Sequence, residues 1–274
     1  MRFRVSVAVV TGALAATALA APAATAVDQP TFRASSKGYA SHPGDQRVGD
    51  TRITSVVING GKPVVLGISA TKKVSVTMTA RDNSGIAKGS AVLWRGTDPM
   101  AAQDLIEPDK DPVSCTNKGT TGTCKFTFTV DPIGLSNDMA GGGWKLGVSA
   151  HAKDRNGELR WNYKSTSLQR FSKLTVDAAP EPVKKGANLT VTGALTRANW
   201  DDLRYAGYSA QPVKLQFRAK NAKTYTTVKT VRTDASGKLK TTVKASADGY
   251  YRYSFDGTST TPAIKAGGDF VDVR

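Results

Sequence analysis

The stretch VKLQFRAK at 213–220 limits the fold of this chain more than any other. Val213, Leu215 and Phe217 lie on one side of an extended backbone, and Lys214, Gln216, Arg218 and Lys220 on the other, because successive strand side chains point to opposite faces. At helical spacing the same residues would form no apolar stripe. The pattern recurs downstream. Leu189, Val191 and Leu195 share a face in LTVTGALT; Leu239 and Val243 oppose Lys240 and Lys244; Tyr251, Tyr253 and Phe255 oppose Arg252. One dry face and one wet face is the demand of antiparallel sheet.

The first half carries the same texture in TRITSVVI (51–58), KKVSVTMTA (72–80), SAVLWRG (90–96), CKFTFTV (124–130), WKLGVSAHA (144–152) and STSLQRFSKLTV (165–176). Val, Thr and Ile are frequent in these runs, and Gly, Asp, Asn or Pro bound them. DPMAAQDLIEP (98–108) and IGLSNDMAG (133–141) are the two candidates for short helix, and neither shows a helical stripe. The reading is all-β: two tandem Ig-like antiparallel β-sandwich domains, at 48–176 and 189–274. Between them a linker spans 177–188, kept extended by Pro180 and Pro182.

The amino terminus sets the compartment. Arg2 and Arg4 precede an apolar run that ends in the small residues Ala24-Thr25-Ala26, the form of a signal peptide cleaved after residue 26. Residues 27–47 then read as a flexible polar lead-in. The expectation is a secreted protein, extracellular or loosely wall-associated, with no transmembrane segment after cleavage. Cys115 and Cys124, in SCTNKGTTGTC, are expected to close a disulfide hairpin in that oxidising setting.

With 38 Lys and Arg against 22 Asp and Glu, the chain favours anionic partners such as wall polymer or polysaccharide. The basic residues are dispersed, without a block of five, so no nucleic-acid partner is expected. Lys214, Arg218, Lys220, Lys240 and Lys244 are the candidate anionic-polymer face, on the condition that their strands are neighbours. The bland reading of the same lysines is solubility and protection of sheet edges.

Catalytic chemistry finds little to work with. The two histidines, His42 and His151, stand beside no Ser/His/Asp constellation, and G-x-S-x-G, H-E-x-x-H and glycine-rich phosphate loops are missing from the sequence. The chain is therefore read as non-enzymatic, with no catalytic residue and no cofactor. Two alternatives stay open. Trp200, Tyr205 and Tyr208, in NWDDLRYAGYSAQ, form a candidate carbohydrate-binding loop if their rings are exposed; the bland reading folds Trp200 over the core. Asp109 and Asp111, in the acidic loop 97–115, are a weak calcium candidate, against a plain solvated loop.

Asp-x-[Ser/Asn]-Gly occurs three times, at 82–85, 154–157 and 234–237. Each copy alone offers too few oxygens for calcium. Asp at the first position of a type I turn and Gly at the fourth read instead as hairpin punctuation.

A resemblance adds to this reading. PEPVKKGANLTVTGALTRANW, GYSAQPVKLQFRAK, TYTTVKTVRTDASGKLKTTVKASADGYYRYSFDGTSTT and GDFVDVR resemble a module of secreted proteins from Streptomyces and related actinobacteria. With DNSGIAKGSAVLWRG added, the mature chain is similar almost throughout to a streptomycete family of unknown function. The resemblance implies bacterial Ig-like strands and carries over no catalytic or binding residue.

Overall fold

The computed structural model describes residues 44–102 and 104–274. The expected signal peptide, most of the expected lead-in and His42 lie outside the described residues. Within them no helix is long and apolar enough to cross a membrane. The fold is all-β, as the alternation requires, and is built as two sandwiches in series.

The first sandwich packs a seven-stranded sheet on a four-stranded one. The large sheet runs Gln46–Val48, Gly157–Arg170, Gly141–Ala152, Ile86–Arg95 and Asp104–Ile106, with Val64–Leu66 and Val113–Ser114 attached at its edges. The small sheet runs Arg52–Ile58, Lys72–Arg81, Thr121–Val130 and Thr116–Lys118. All these pairings are antiparallel except Val64–Leu66 beside Gly157–Arg170. Val74, Val76, Met78 and Ala80 alternate inward on one strand and Cys124, Phe126, Phe128 and Val130 on its neighbour, facing Trp144, Leu146, Val148 and Ala150 across the core. Each large side chain buried this way contributes about 1.5–3 kcal/mol. The Cys115–Cys124 disulfide forms as expected, with Cys124 inside this core. The segments 98–108 and 133–141 form no α-helix; the second holds a 3-10 turn at Asn137–Met139.

In the second sandwich Asn188–Asn199 is the centre of one sheet, pairing with Ser172–Leu174, Asp177–Ala179, Arg204–Gly207 and Lys238–Lys244. The facing sheet runs Thr226–Arg232, Pro212–Ala219 and Gly249–Phe255, then Ile264–Lys265 and Asp269–Val271. Leu189, Val191, Val213, Leu215, Tyr251, Tyr253 and Phe255 fill the space between. The phenol of Tyr253 donates to Val191 O at 3.0 Å, and burial raises its pKa to about 12.

The chain crosses between sandwiches earlier than the linker expectation had it. Ser172–Leu174 already belongs to the second unit, and Asp177–Ala179, inside the expected linker, is a strand of the same sheet. The two prolines sit between strands that both pair, so stiffness there serves the sheet's edge. The junction itself is packed. Ala198 and Trp200, from the second unit, join the core of the first. Phe171 N donates to Leu66 O, Ala198 N to Phe171 O and Arg170 Nε to Ala198 O, at 2.8, 2.8 and 2.5 Å.

Two of the three Asp-x-[Ser/Asn]-Gly turns are not hairpins. The turn at 82–85 leads from Lys72–Arg81 in the small sheet to Ile86–Arg95 in the large one, and that at 234–237 likewise passes between facing sheets. Both place glycine in the left-handed region, Gly85 at φ 84° and Gly237 at 78°. The copy at 154–157 does reverse one sheet between adjacent strands, but there Arg155 takes the positive φ, 73°, and Gly157 starts the next strand. Local sequence specified a turn; which sheet the next strand joins was decided by the core.

Candidate functional site

The three aromatics of the loop candidate go to three different surroundings. Trp200 is 1 % exposed, its indole N–H donating to Gly67 O at 2.9 Å and its backbone N–H to Asn137 Oδ1 at 3.0 Å. Its ring seals the first sandwich, so it offers no face to a sugar. Tyr205 lies against Phe171, with Lys173 Nζ 3.8 Å from its ring centre. Tyr208 packs on Phe255 in the second sandwich and carries the Arg197 guanidinium at 3.8 Å. No shared stacking platform results.

The calcium candidate is pulled apart by hydrogen bonding. Asp109 spends both oxygens on Thr129, accepting from its N and Oγ1 at 2.9 Å each. Asp111 accepts from Ala91 N at 3.2 Å, on the opposite sheet, and burial holds its carboxyl above the usual range. The structure instead assembles Asp50, Asp82 and Asp154, one oxygen of each lying within 4.8 Å of the others. Here two of the repeated turns meet: Asp154 N donates to Ser84 Oγ, and Asn156 bridges Asp154 and Asp50. Asp82 is buried, which pushes its pKa up, but hydrogen bonds from Ser84 and Thr51 outweigh that and hold it low. Three oxygens are half of what calcium takes, and those of Asp82 are already engaged, so the cluster reads as a knot tying the two turns.

His151 is 2 % exposed on the outer face of Gly141–Ala152. Its Nε2 lies 3.1 Å from Ser149 Oγ, while Nδ1 has no partner among the described residues. Burial, with Lys88 on the adjoining strand, lowers its pKa to about 4. A serine and a histidine are therefore in contact, but enclosed, and among the described residues no carboxylate hydrogen-bonds to the ring.

The five cations of the expected polymer face do not form one face. Lys240 and Lys244 lie on a strand that pairs with Asn188–Asn199, whereas Lys214 and Arg218 belong to the facing sheet and Lys220 follows the end of their strand. Outward residues of facing sheets look in opposite directions, so the strands fail the neighbour condition. Lys214 is further engaged by Asp256 at 2.6 Å, and Lys220 stands 3.7 Å from Asp248. On the first sheet Lys238, Lys240 and Lys244 are exposed, with no acidic partner among the described residues.

The facing sheet carries what the sequence reading missed. Strand pairing sets Gln216 opposite Arg252 and Arg218 opposite Tyr250, and Tyr250 opposite Phe270. Tyr225 reaches over from the preceding hairpin. The Arg252 guanidinium lies 3.7 Å from the Tyr225 ring centre; Arg218 lies 5.3 Å from that ring and 4.2 Å from Tyr250. Tyr250 meets Phe270 at 5.2 Å, and Lys220 Nζ stands 5.4 Å from Phe270. The result is an alternating ladder of cations and rings, all at least partly exposed. The alternation in YYRYSF and VKLQFRAK foretold outward Arg218 and Arg252; their shared ring, Tyr225, comes from a turn that has no periodicity to read.

No protein-family model matches the chain, and no curated protein does. Among solved structures, the D0-D1 domain of intimin is similar at 14 % identity and a TM-score of 0.25, over 80 % of this chain and 98 % of that one. A putative membrane anchored protein from Corynebacterium diphtheriae is similar at 11 % identity and a TM-score of 0.28, over 81 % of this chain and 53 % of that one. At such scores the likeness says nothing of function, and the fold rests on the strand pairing itself.

Proposed function

We propose that this chain is a secreted, non-enzymatic binding module that holds anionic polymer in the cell-envelope space through the second sandwich. The observation that carries the reading is that both outer faces of that sandwich present cations without carboxylate partners among the described residues: Lys238, Lys240 and Lys244 on one, Arg218 and Arg252 on the other. Lys238 and Lys240, alternate residues of one strand, stand roughly 7 Å apart, inside the screening length of about 8 Å at physiological salt, and Arg218 and Arg252 both lie against one ring, Tyr225. Their fields therefore add, and a polyanion is drawn to either face with an affinity that salt weakens. The resemblance to secreted actinobacterial proteins fits the same setting.

The test is co-sedimentation of the mature chain with purified Gram-positive wall at rising salt. Retention at low salt and release on raising it are expected; a chain that stays in the supernatant at low salt refutes the proposal.

A further inference from the structure

The cation–ring ladder has features that an ordinary solubilising face lacks. Its guanidiniums lie against aromatic rings and are hydrogen-bonded in place, so less freedom is lost when they bind. Arg252 spends its Nε on Gln216 Oε1 at 2.9 Å, and Arg218 spends one terminal nitrogen on the Lys220 and Ala222 carbonyls at 3.4 and 2.7 Å. The remaining guanidinium nitrogens have no partner among the described residues, and neither arginine pairs with a carboxylate there. Of the nearby acids, Asp269 accepts from Ala178 N on the other sheet, and Asp248 gives one oxygen to Val273 N and holds the other 3.7 Å from Lys220 at the ladder's end, away from both arginines.

We infer that this ladder is a binding site for a polyol-phosphate polymer. The inference rests on the polymer-binding reading above and gives it a place and a ligand class. Arginine forks and a lysine ammonium both suit phosphate oxygens. Between the charges the ladder presents the partly exposed rings of Tyr225, Tyr250 and Phe270. A polyol-phosphate chain repeats in the same sense, each phosphodiester being followed by a short flexible carbon segment that can lie on a ring. A polyuronate fits less well, since each carboxylate is fixed to a rigid pyranose and successive ones turn to different sides. The lysine row on the opposite face has charge but no rings, and draws all polyanions alike.

The experiment measures binding of the mature chain to fluorescent poly(glycerol phosphate), to polygalacturonate of matched charge and to single-stranded DNA, at one ionic strength. Wild type is expected to bind poly(glycerol phosphate) about tenfold more tightly than either competitor, the worth of one good charge-assisted contact. The R218K/R252K double variant keeps the charge and loses the forks; its preference should fall to about one. K240Q/K244Q should weaken all three polymers together and leave the ratio unchanged. A wild-type ratio near one, a ratio that survives R218K/R252K, or DNA bound as tightly as poly(glycerol phosphate) overturns the site assignment while leaving polymer binding intact. Failure to bind any of the polymers overturns the underlying reading as well.

Discussion

Replacing Trp200 by alanine tests how the two sandwiches are joined. The side chain is 1 % exposed and belongs to the core of the first unit, although its backbone is part of the second. Truncating a buried Trp costs about 3–5 kcal/mol in lost burial and cavity formation. Part of that is the indole hydrogen bond to Gly67 O at 2.9 Å, worth about 1 kcal/mol. With unfolding entropy typical of 150–250 residues, 4 kcal/mol lowers Tm by roughly 8–16 °C. Because the loss falls on the contact between units, calorimetry of W200A should also resolve two transitions where wild type gives one cooperative peak. W200F restores most of the bulk but not the donor, and should lose only about 1–2 kcal/mol. A W200A protein that melts as a single peak within 2 °C of wild type would refute the idea that this ring couples the sandwiches.

Two further outcomes follow from buried groups. His151 is held at a pKa of about 4 against about 6.5 in the unfolded chain, so the unfolded state binds the extra proton first. Its neutral-form stability is complete above pH 6.5, is lost as pH falls toward 4 and amounts to about 3 kcal/mol; H151Q in urea titrations should flatten that interval, and an unchanged slope would show the burial to be misjudged. Opening the Cys115–Cys124 loop, with a sequence separation of 9, should cost about 2.7 kcal/mol by loop entropy. A C115S/C124S chain should lose somewhat more, since Cys124 also fills core; denaturant midpoints equal to wild type would contradict this.

Legibility in the sequence followed the range of the interaction. The inward faces of 213–217, 189–195 and 251–255 were readable because alternation is a property of the strand alone, and each of these residues that was assigned inward is buried or packed on the core. Trp200 was not placed by any such rule: it sits just past the end of its strand, where side-chain direction depends on what stands opposite. Asp109 and Asp111 look like a pair at i, i+2, yet each is claimed by a different sheet. The cationic residues were individually assigned to outer faces, while their grouping required knowing which strands pair.

By itself, then, the sequence determined the all-β class, the turn positions, the inward residues of the regular strands and the disulfide, since all of these are set by contacts within a few residues of chain. Tertiary structure decided the rest. It made two turns into crossings between sheets, gathered Asp50, Asp82 and Asp154, divided the lysines between opposite faces and placed Tyr225 between Arg218 and Arg252. Strand order has no local signature, because the period-2 pattern says which face is dry and nothing about the neighbour beside it.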